Sequence, residues 1–177
     1  ICGSGIIDLL AQMRLNGWVD ISGKLNPDAS PRIQYIREIE EYAAIYASGS
    51  ESANGTDLYF SQTDIMQYLD TKAAAHTMVD CLLDSAGFTK DDLTAFYTSG
   101  AFGTYTDLES AITIGIFPDL PRSAFHCLGN SSLAGARTLL LDRSRMKDIR
   151  MFQETIYYVQ FASIPDFLIR MQASKFI

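Results

Sequence analysis

Two stretches in the second half of this chain each run a short apolar strand through glycine into a helix. The first is Ala95 to Asp107, Ala-Phe-Tyr-Thr-Ser-Gly-Ala-Phe-Gly-Thr-Tyr-Thr-Asp, in which Gly100 and Gly103 bracket Ala101 and Phe102. The second takes Phe125 to Leu128 through Gly129 into a helix that begins Ser131-Ser132-Leu133-Ala134-Gly135-Ala136. Strands that alternate with helices bury their apolar faces by laying the helices on a sheet, so the pattern predicts an α/β fold. Glycine permits torsions that a Cβ forbids, and it lets a ligand approach the main chain. A helix start also leaves N–H groups free for an anion. Gly100 to Gly103 therefore reads either as a plain βα connection or as a ligand platform. Thr106 and Glu109 have capping-box spacing and predict a helix from about Asp107 to Gly115. Asn130 or Ser131 is the N-cap of the later helix. Its slim first turns, at Ala134, Gly135 and Ala136, suit close packing on another backbone.

The first half reads differently. Gly3-Ser4-Gly5 predicts a small-residue turn ahead of a helix carrying Ile6, Leu9, Leu10 and Met13, with Gly17 as its stop. That turn either faces a phosphate or is simply tight. Trp18 to Pro31 is loop-like. Ile33–Ile36, Tyr42–Tyr46 and Leu58–Phe60 are candidate strands of a small antiparallel insert, with the polar run Ser48–Asp57 as an exposed loop. Ser61 and Asp64 then open a long helix that reaches about Ala86 and stops at Gly87. Its predicted seam is Ile65, Leu69, Lys72, His76, Val79 and Leu83. A lysine on such a seam either snorkels its ammonium to the edge of the core or points into a cleft holding a polar ligand. His76 reads as a satisfied cleft-edge histidine rather than a metal ligand, with no second histidine at ligand spacing. Near the end, Thr155–Phe161 predicts a strand, and Pro165–Lys175 a closing helix with Phe167, Leu168 and Met171 inward.

Composition narrows the functions available. The 177 residues are 47% hydrophobic, enough for one substantial core. Their net charge is -7 with no basic stripe, which argues against nucleic acid or an anionic membrane surface as partner. Cys2, Cys81 and Cys127 are far apart, so an iron–sulfur or zinc site within this chain is not expected, and free thiols fit a reducing cytoplasm. No apolar run is long enough for a membrane span. The chain opens at Ile1 without a methionine and is expected to be part of something larger.

Three motifs, taken together and in order, resemble one family. They are Ile-Cys-Gly-Ser-Gly-Ile-Ile-Asp at the start, Ser-Gly-Ala-Phe-Gly-Thr-Tyr-Thr-Asp-Leu-Glu-Ser-Ala in the middle, and Gly-Asn-Ser-Ser-Leu-Ala-Gly-Ala after it. The family is the C-terminal ATPase-like domain of the reductive activators of corrinoid-dependent enzymes. It belongs to the actin-like superfamily, ribonuclease H-like in fold, with sugar kinases, acetate kinase and the 70-kDa chaperones. The resemblance implies the second lobe of that fold, with a small β-containing part at 18–61 and a nucleotide-binding part at 62–177. It also implies a protein that uses ATP to return a corrinoid cobalt from Co(II) to Co(I) in methyl-transfer metabolism. A [2Fe–2S] cluster and the Mg²⁺ ligands are expected outside these residues, and the partner is a corrinoid protein, with a homodimer as a further possibility.

By the same resemblance Gly100, Ala101, Phe102 and Gly103 match the adenosine motif, with Ser99-Gly100 in place of the usual glycine pair. Lys72 matches a lysine near adenine and ribose, and Gly3, Ser4 and Gly5 lie towards the phosphates. Ser132, Ala134, Gly135 and Ala136 match the helix that packs on the opposite lobe. No catalytic residue is expected in this chain. Two other readings stand beside this one. The fold could serve as a docking or dimerisation module without catalysis, or the chain could belong to a sugar or acid kinase, which the lack of an obvious acceptor-binding acid or base disfavours.

Overall fold

A computed structural model describes residues 1–177, with seven α-helices and five strands in two separate sheets. Helix α1 (Gly3–Leu15) starts at the glycines themselves, with Cys2 as N-cap. Gly3-Ser4-Gly5 is thus the first helical turn, where the sequence predicted a turn before the helix. Small residues are tolerated there because the first turn makes few intrahelical bonds and does not depend on side-chain packing. Ile7, Leu10, Ala11 and Met13 form the buried side of α1.

The insert folds as expected. Strands β1 (Ile33–Ile36), β2 (Glu41–Ala47) and β3 (Leu58–Ser61) make an antiparallel sheet in that order, with Ile33 opposite Ala44 and Ala44 opposite Phe60. The tight β1–β2 turn places Glu40 at φ 55, the sole positive φ outside glycine.

Helix α2 (Gln62–Ala86) is fixed at both ends by its own sequence. The Ser61 hydroxyl accepts from Asp64 N at 3.1 Å, and the Asp64 carboxylate accepts from Ser61 N at 3.0 Å, which closes the capping box. Gly87 at φ 74 ends the helix in the left-handed conformation that glycine adopts without strain. The predicted seam holds at Ile65, Leu69 and Lys72 and then shifts. The buried side continues through Ala73, Thr77 and Cys81, while Val79 is exposed. Steps of four residues drift round an α-helix of 3.6 residues per turn, and they follow the line along which helix α7 (Phe167–Ala173) lies across α2. Arg170 of α7 anchors that crossing by donating to Asp84 Oδ2 at 2.5 Å and to Cys81 Sγ at 3.3 Å.

The strand–glycine–helix units follow. Strands β4 (Phe96–Thr98) and β5 (Phe125–Cys127) pair in parallel, Phe96 opposite Phe125 and Thr98 opposite Cys127. Between them lie helix α3 (Gly100–Tyr105) and helix α4 (Leu108–Thr113). The sequence expectation of one helix from about Asp107 missed α3. It also placed the cap one residue early. Asp107 is the N-cap of α4 and accepts from Ser110 N at 2.8 Å, while Thr106 donates its hydroxyl back to Phe102 O. A carboxylate is a better acceptor than a hydroxyl for a helix N–H, and it gains from the dipole. Helix α5 (Ser131–Leu141), capped by Asn130, and helix α6 (Met146–Thr155) complete the chain before α7.

One core joins the insert to the helices. Ile7, Leu10, Met13, Val19, Leu25, Ile33, Phe60, Ile65, Leu69 and Ile114 all belong to it. The second half departs from expectation in two places. Thr155–Phe161 forms no strand: Thr155 ends helix α6, Phe161 opens a 3-10 turn, and the residues between have no cross-strand partner, on which β-structure rests. Leu168 is exposed, while Phe167, Arg170 and Met171 of the closing helix are half-buried.

Candidate functional site

Parallel β4 and β5 end side by side, and each gives way to a glycine with positive φ, Gly100 at 77° and Gly129 at 61°. Backbone bonds lock the two turns together. Gly100 N donates to Gly129 O at 2.7 Å, and Leu128 N donates to Thr98 O at 2.8 Å. A Cβ at either glycine would meet no heavy atom within 4 Å, so open space stands over both turns. The crevice at the carboxyl ends of parallel strands is the place where α/β sheets bind ligands. Ala101, Phe102 and Gly103 form the first turn of α3, and their N–H groups have no backbone partner.

Gly103 has a different task from Gly100. Its hypothetical Cβ would lie 2.8 Å from Thr98 Cβ, so the absence of a side chain lets α3 fold back onto the end of β4. Beneath that contact is a cleft of about 220 Å³, bordered by Thr98, Gly103, Thr104, Thr106, His126 and Cys127. Ligand pockets run from about 300 to 1,000 Å³. The cleft is smaller than that range.

The Cys127 thiol borders the cleft and its pKa is held below the ordinary value, first by the Gly129 N–H and then by the Thr104 hydroxyl. Sequence reading did not place Gly129 or Cys127 at this site. The signal was present in the second strand–glycine–helix unit, but only the pairing of β4 with β5 shows that the two turns meet.

The start of α1 joins the same region. A Cβ at Gly3 would sit 3.6 Å from Phe102 Cε2, so the Gly3-Ser4-Gly5 turn of helix lies against α3. The Cys2 thiol pKa is lowered here, chiefly by the Ser4 hydroxyl. The structure thus brings Gly3 and Phe102 together.

Lys72 lies elsewhere. It is 5% exposed, and its ammonium donates to Ser174 O at 3.1 Å and to Phe176 O at 2.6 Å. It also backs onto Gly115, whose hypothetical Cβ would lie 3.1 Å from Lys72 Nζ. Burial pushes its pKa down, and the charge of Lys90 adds to that. Two carbonyls meet the requirement that a buried ammonium be hydrogen-bonded.

One helical turn on, Lys90 Nζ lies 2.9 Å from His76 Nε2 and 2.9 Å from Asp80 Oδ1. The ammonium can only donate, so His76 accepts at Nε2 and carries its proton on Nδ1. Burial and then Lys90 lower the pKa of His76, against the smaller opposite effect of Asp80. No group of three or more His, Cys, Asp or Glu side chains in the chain could hold a metal ion.

Ser132, Ala134, Gly135 and Ala136 sit on α5, where no residue is buried and a Cβ at Gly135 would meet nothing within 4 Å. No helix is long and apolar enough to cross a membrane.

The family described as the C-terminal ASKHA domain of RACo matches residues 1–177. The corrinoid activation enzyme RamQ of Eubacterium limosum is 28% identical over 174 residues, covering 94% of this chain and 29% of that protein. The Methanosarcina barkeri reductase of a Co(II) methylated amine-specific corrinoid protein is 40% identical over 68 residues, 38% of this chain and 12% of that protein. A solved structure of a reductive activator for corrinoid, iron–sulfur protein superposes with a TM-score of 0.88 at 32% identity, covering 100% of this chain and 28% of that one. The chain spans less than a third of the length of these relatives. It belongs to the family of C-terminal ASKHA domains of the corrinoid activators.

Proposed function

We propose that this chain supplies the adenosine side of the nucleotide site in an ATP-dependent reductive activator. The whole protein would return a corrinoid protein from Co(II) to Co(I), a one-electron reduction. The observation that carries the reading is the joined pair of glycine turns at the ends of β4 and β5, open in front and set in a chain that matches the family throughout. Gly100 to Gly103, with Gly129 beside them, would let a flat nucleoside lie against the main chain. Gly3, Ser4 and Gly5 would lie towards the phosphates, a reading that the closeness of Gly3 to Phe102 supports. Residues 18–61 act in this reading as a small supporting subdomain, and 62–177 as the nucleotide-binding part. The electron would come from a [2Fe–2S] cluster, and ATP would be held with Mg²⁺, by groups outside these residues.

Lys72 enters this reading on one condition: its ammonium would have to leave Ser174 and Phe176 to reach a nucleotide. The Lys72→Ala variant separates the two roles. Weaker nucleotide binding at unchanged stability assigns it to the ligand, and lower stability at unchanged affinity assigns it to the C-terminal segment.

The direct test is calorimetry of the full-length protein with Mg-ATP, beside absorbance of the Co(I) corrinoid formed with an electron donor. Gly100→Val puts a β-branched residue at φ 77 and fills the open space. It is expected to weaken nucleotide binding at least about tenfold, near 1.4 kcal/mol. Unchanged affinity in a folded variant removes this crevice from the nucleotide site. A docking or dimerisation module is the second reading, favoured by α5, on which Leu133, Leu140 and Leu141 are exposed. Retained capture of the corrinoid protein without any nucleotide binding selects it.

A further inference from the structure

The segment Thr155–Phe161 has the composition of a strand, Thr-Ile-Tyr-Tyr-Val-Gln-Phe, and no partner. Thr155 ends helix α6 and Phe161 begins a 3-10 turn, while the flanks of the run between them are extended, with ψ 123 at Ile156 and 93 at Gln160. The N–H groups of Tyr157, Tyr158, Val159 and Gln160 donate to nothing in the protein, and the carbonyls of Ile156 to Val159 accept nothing. Both edges of this four-residue run are therefore open. Two of its side chains are among the most exposed of the molecule, Tyr157 at 83% and Tyr158 at 80%, while Val159 is half-buried. β-Branched and aromatic residues in such a setting satisfy neither their packing preference nor the main chain's need for partners.

A second incompleteness lies close by in sequence. β4 and β5 form a parallel sheet of only two strands, with both outer edges unpaired. Parallel sheets are buried structures, and a lone pair of strands is marginal in water. Two unfinished β-elements and an uncovered helix α5 fall in one stretch of chain, from Phe96 to Phe161.

We infer that Tyr157–Gln160 is a strand of a sheet whose neighbouring strand comes from the same polypeptide, outside residues 1–177. The relatives that this chain matches are more than three times its length, so ample chain exists to supply it. A strand in the same molecule pairs intramolecularly, so its pairing is independent of protein concentration, unlike that of a second copy. Main-chain hydrogen bonds would supply the affinity, and the alternating side chains, Tyr157 and Val159 against Ile156 and Tyr158, would set the register.

Hydrogen–deuterium exchange on the full-length wild-type protein tests this, with the amides of Ala53 and Asn54 as an exposed-loop reference. The amides of Tyr157 to Gln160 are expected to exchange at least about a hundredfold more slowly than that loop, and equally so at high and low protein concentration. Exchange as fast as the loop overturns the inference. Protection that disappears on dilution to the monomer also overturns it, since the neighbouring strand would then belong to a second copy. The reading does not rest on the nucleotide site, and loss of ATP binding leaves it standing.

Discussion

The two halves of this molecule carry similar apolar side chains and treat them in opposite ways. From Ile7 to Ala124 they converge on buried positions, and Ile7, Leu10, Ile65, Leu69 and Ile114 are fully enclosed. From Phe125 to Ile177 no residue is buried, and Leu133, Leu140 and Leu141 of α5 stand in the open. Hydrophobic residues do not bury themselves by being hydrophobic. They need a second surface of matching shape, and the first half contains both surfaces while the second contains one.

Substitutions can break or sharpen this contrast. The largest expected effect is at Leu69, 0% exposed at the centre of the core, where Leu69→Ala should cost about 3 kcal/mol in urea unfolding. Leu140→Ala removes the same atoms from a side chain that is 80% exposed, and in residues 1–177 alone it should cost less than about 0.5 kcal/mol. A larger loss in the full-length protein than in residues 1–177 would date the burial of α5 to contacts outside this chain.

Gly103→Ala comes next. Its Cβ would press on Thr98 where α3 meets β4, and overpacking of that kind costs about 1–3 kcal/mol. It should also disturb the glycine crevice, which a parallel nucleotide titration would detect. Ser61→Ala opens the capping box of α2 and should lower stability by about 1 kcal/mol, read from the shift in unfolding midpoint.

The smallest effect is a pH dependence. His76 has a folded pKa below its ordinary value of 6.5, mainly through burial and the neighbouring Lys90. The unfolded chain then binds more protons between the two values, so stability falls as pH drops below about 6.5 and levels off beneath the folded pKa. The groups facing the ring are Asp80 and Lys72 on its own helix and Lys90 from the following turn. His76→Gln should flatten that slope between pH 7 and 5, and a slope that persists unchanged would place its origin elsewhere.

Local chemistry was legible in the sequence where a residue acts on its own backbone. The Ser61–Asp64 box, the Gly87 stop and the Asn130 cap all follow from hydrogen bonds within a few residues. The seam of α2 was legible only as far as Lys72, because the direction in which α7 crosses decides which side of the later turns is covered. Thr155–Phe161 was wrongly expected to be a strand, since pairing is a property of two segments.

The candidate site divides along the same line. Gly100 and its turn could be singled out from the strand–glycine–helix pattern, because positive φ is a local demand. That Gly129 meets Gly100, that Gly3 lies against Phe102, and that Lys72 is held by Ser174 and Phe176 are contacts between residues far apart in the chain. Sequence by itself determined where the backbone turns, caps and extends, since those depend on neighbours within a few residues. Only the tertiary structure decided which turns share a crevice and which lysine is already satisfied, since that depends on how the parallel strands and crossing helices pack.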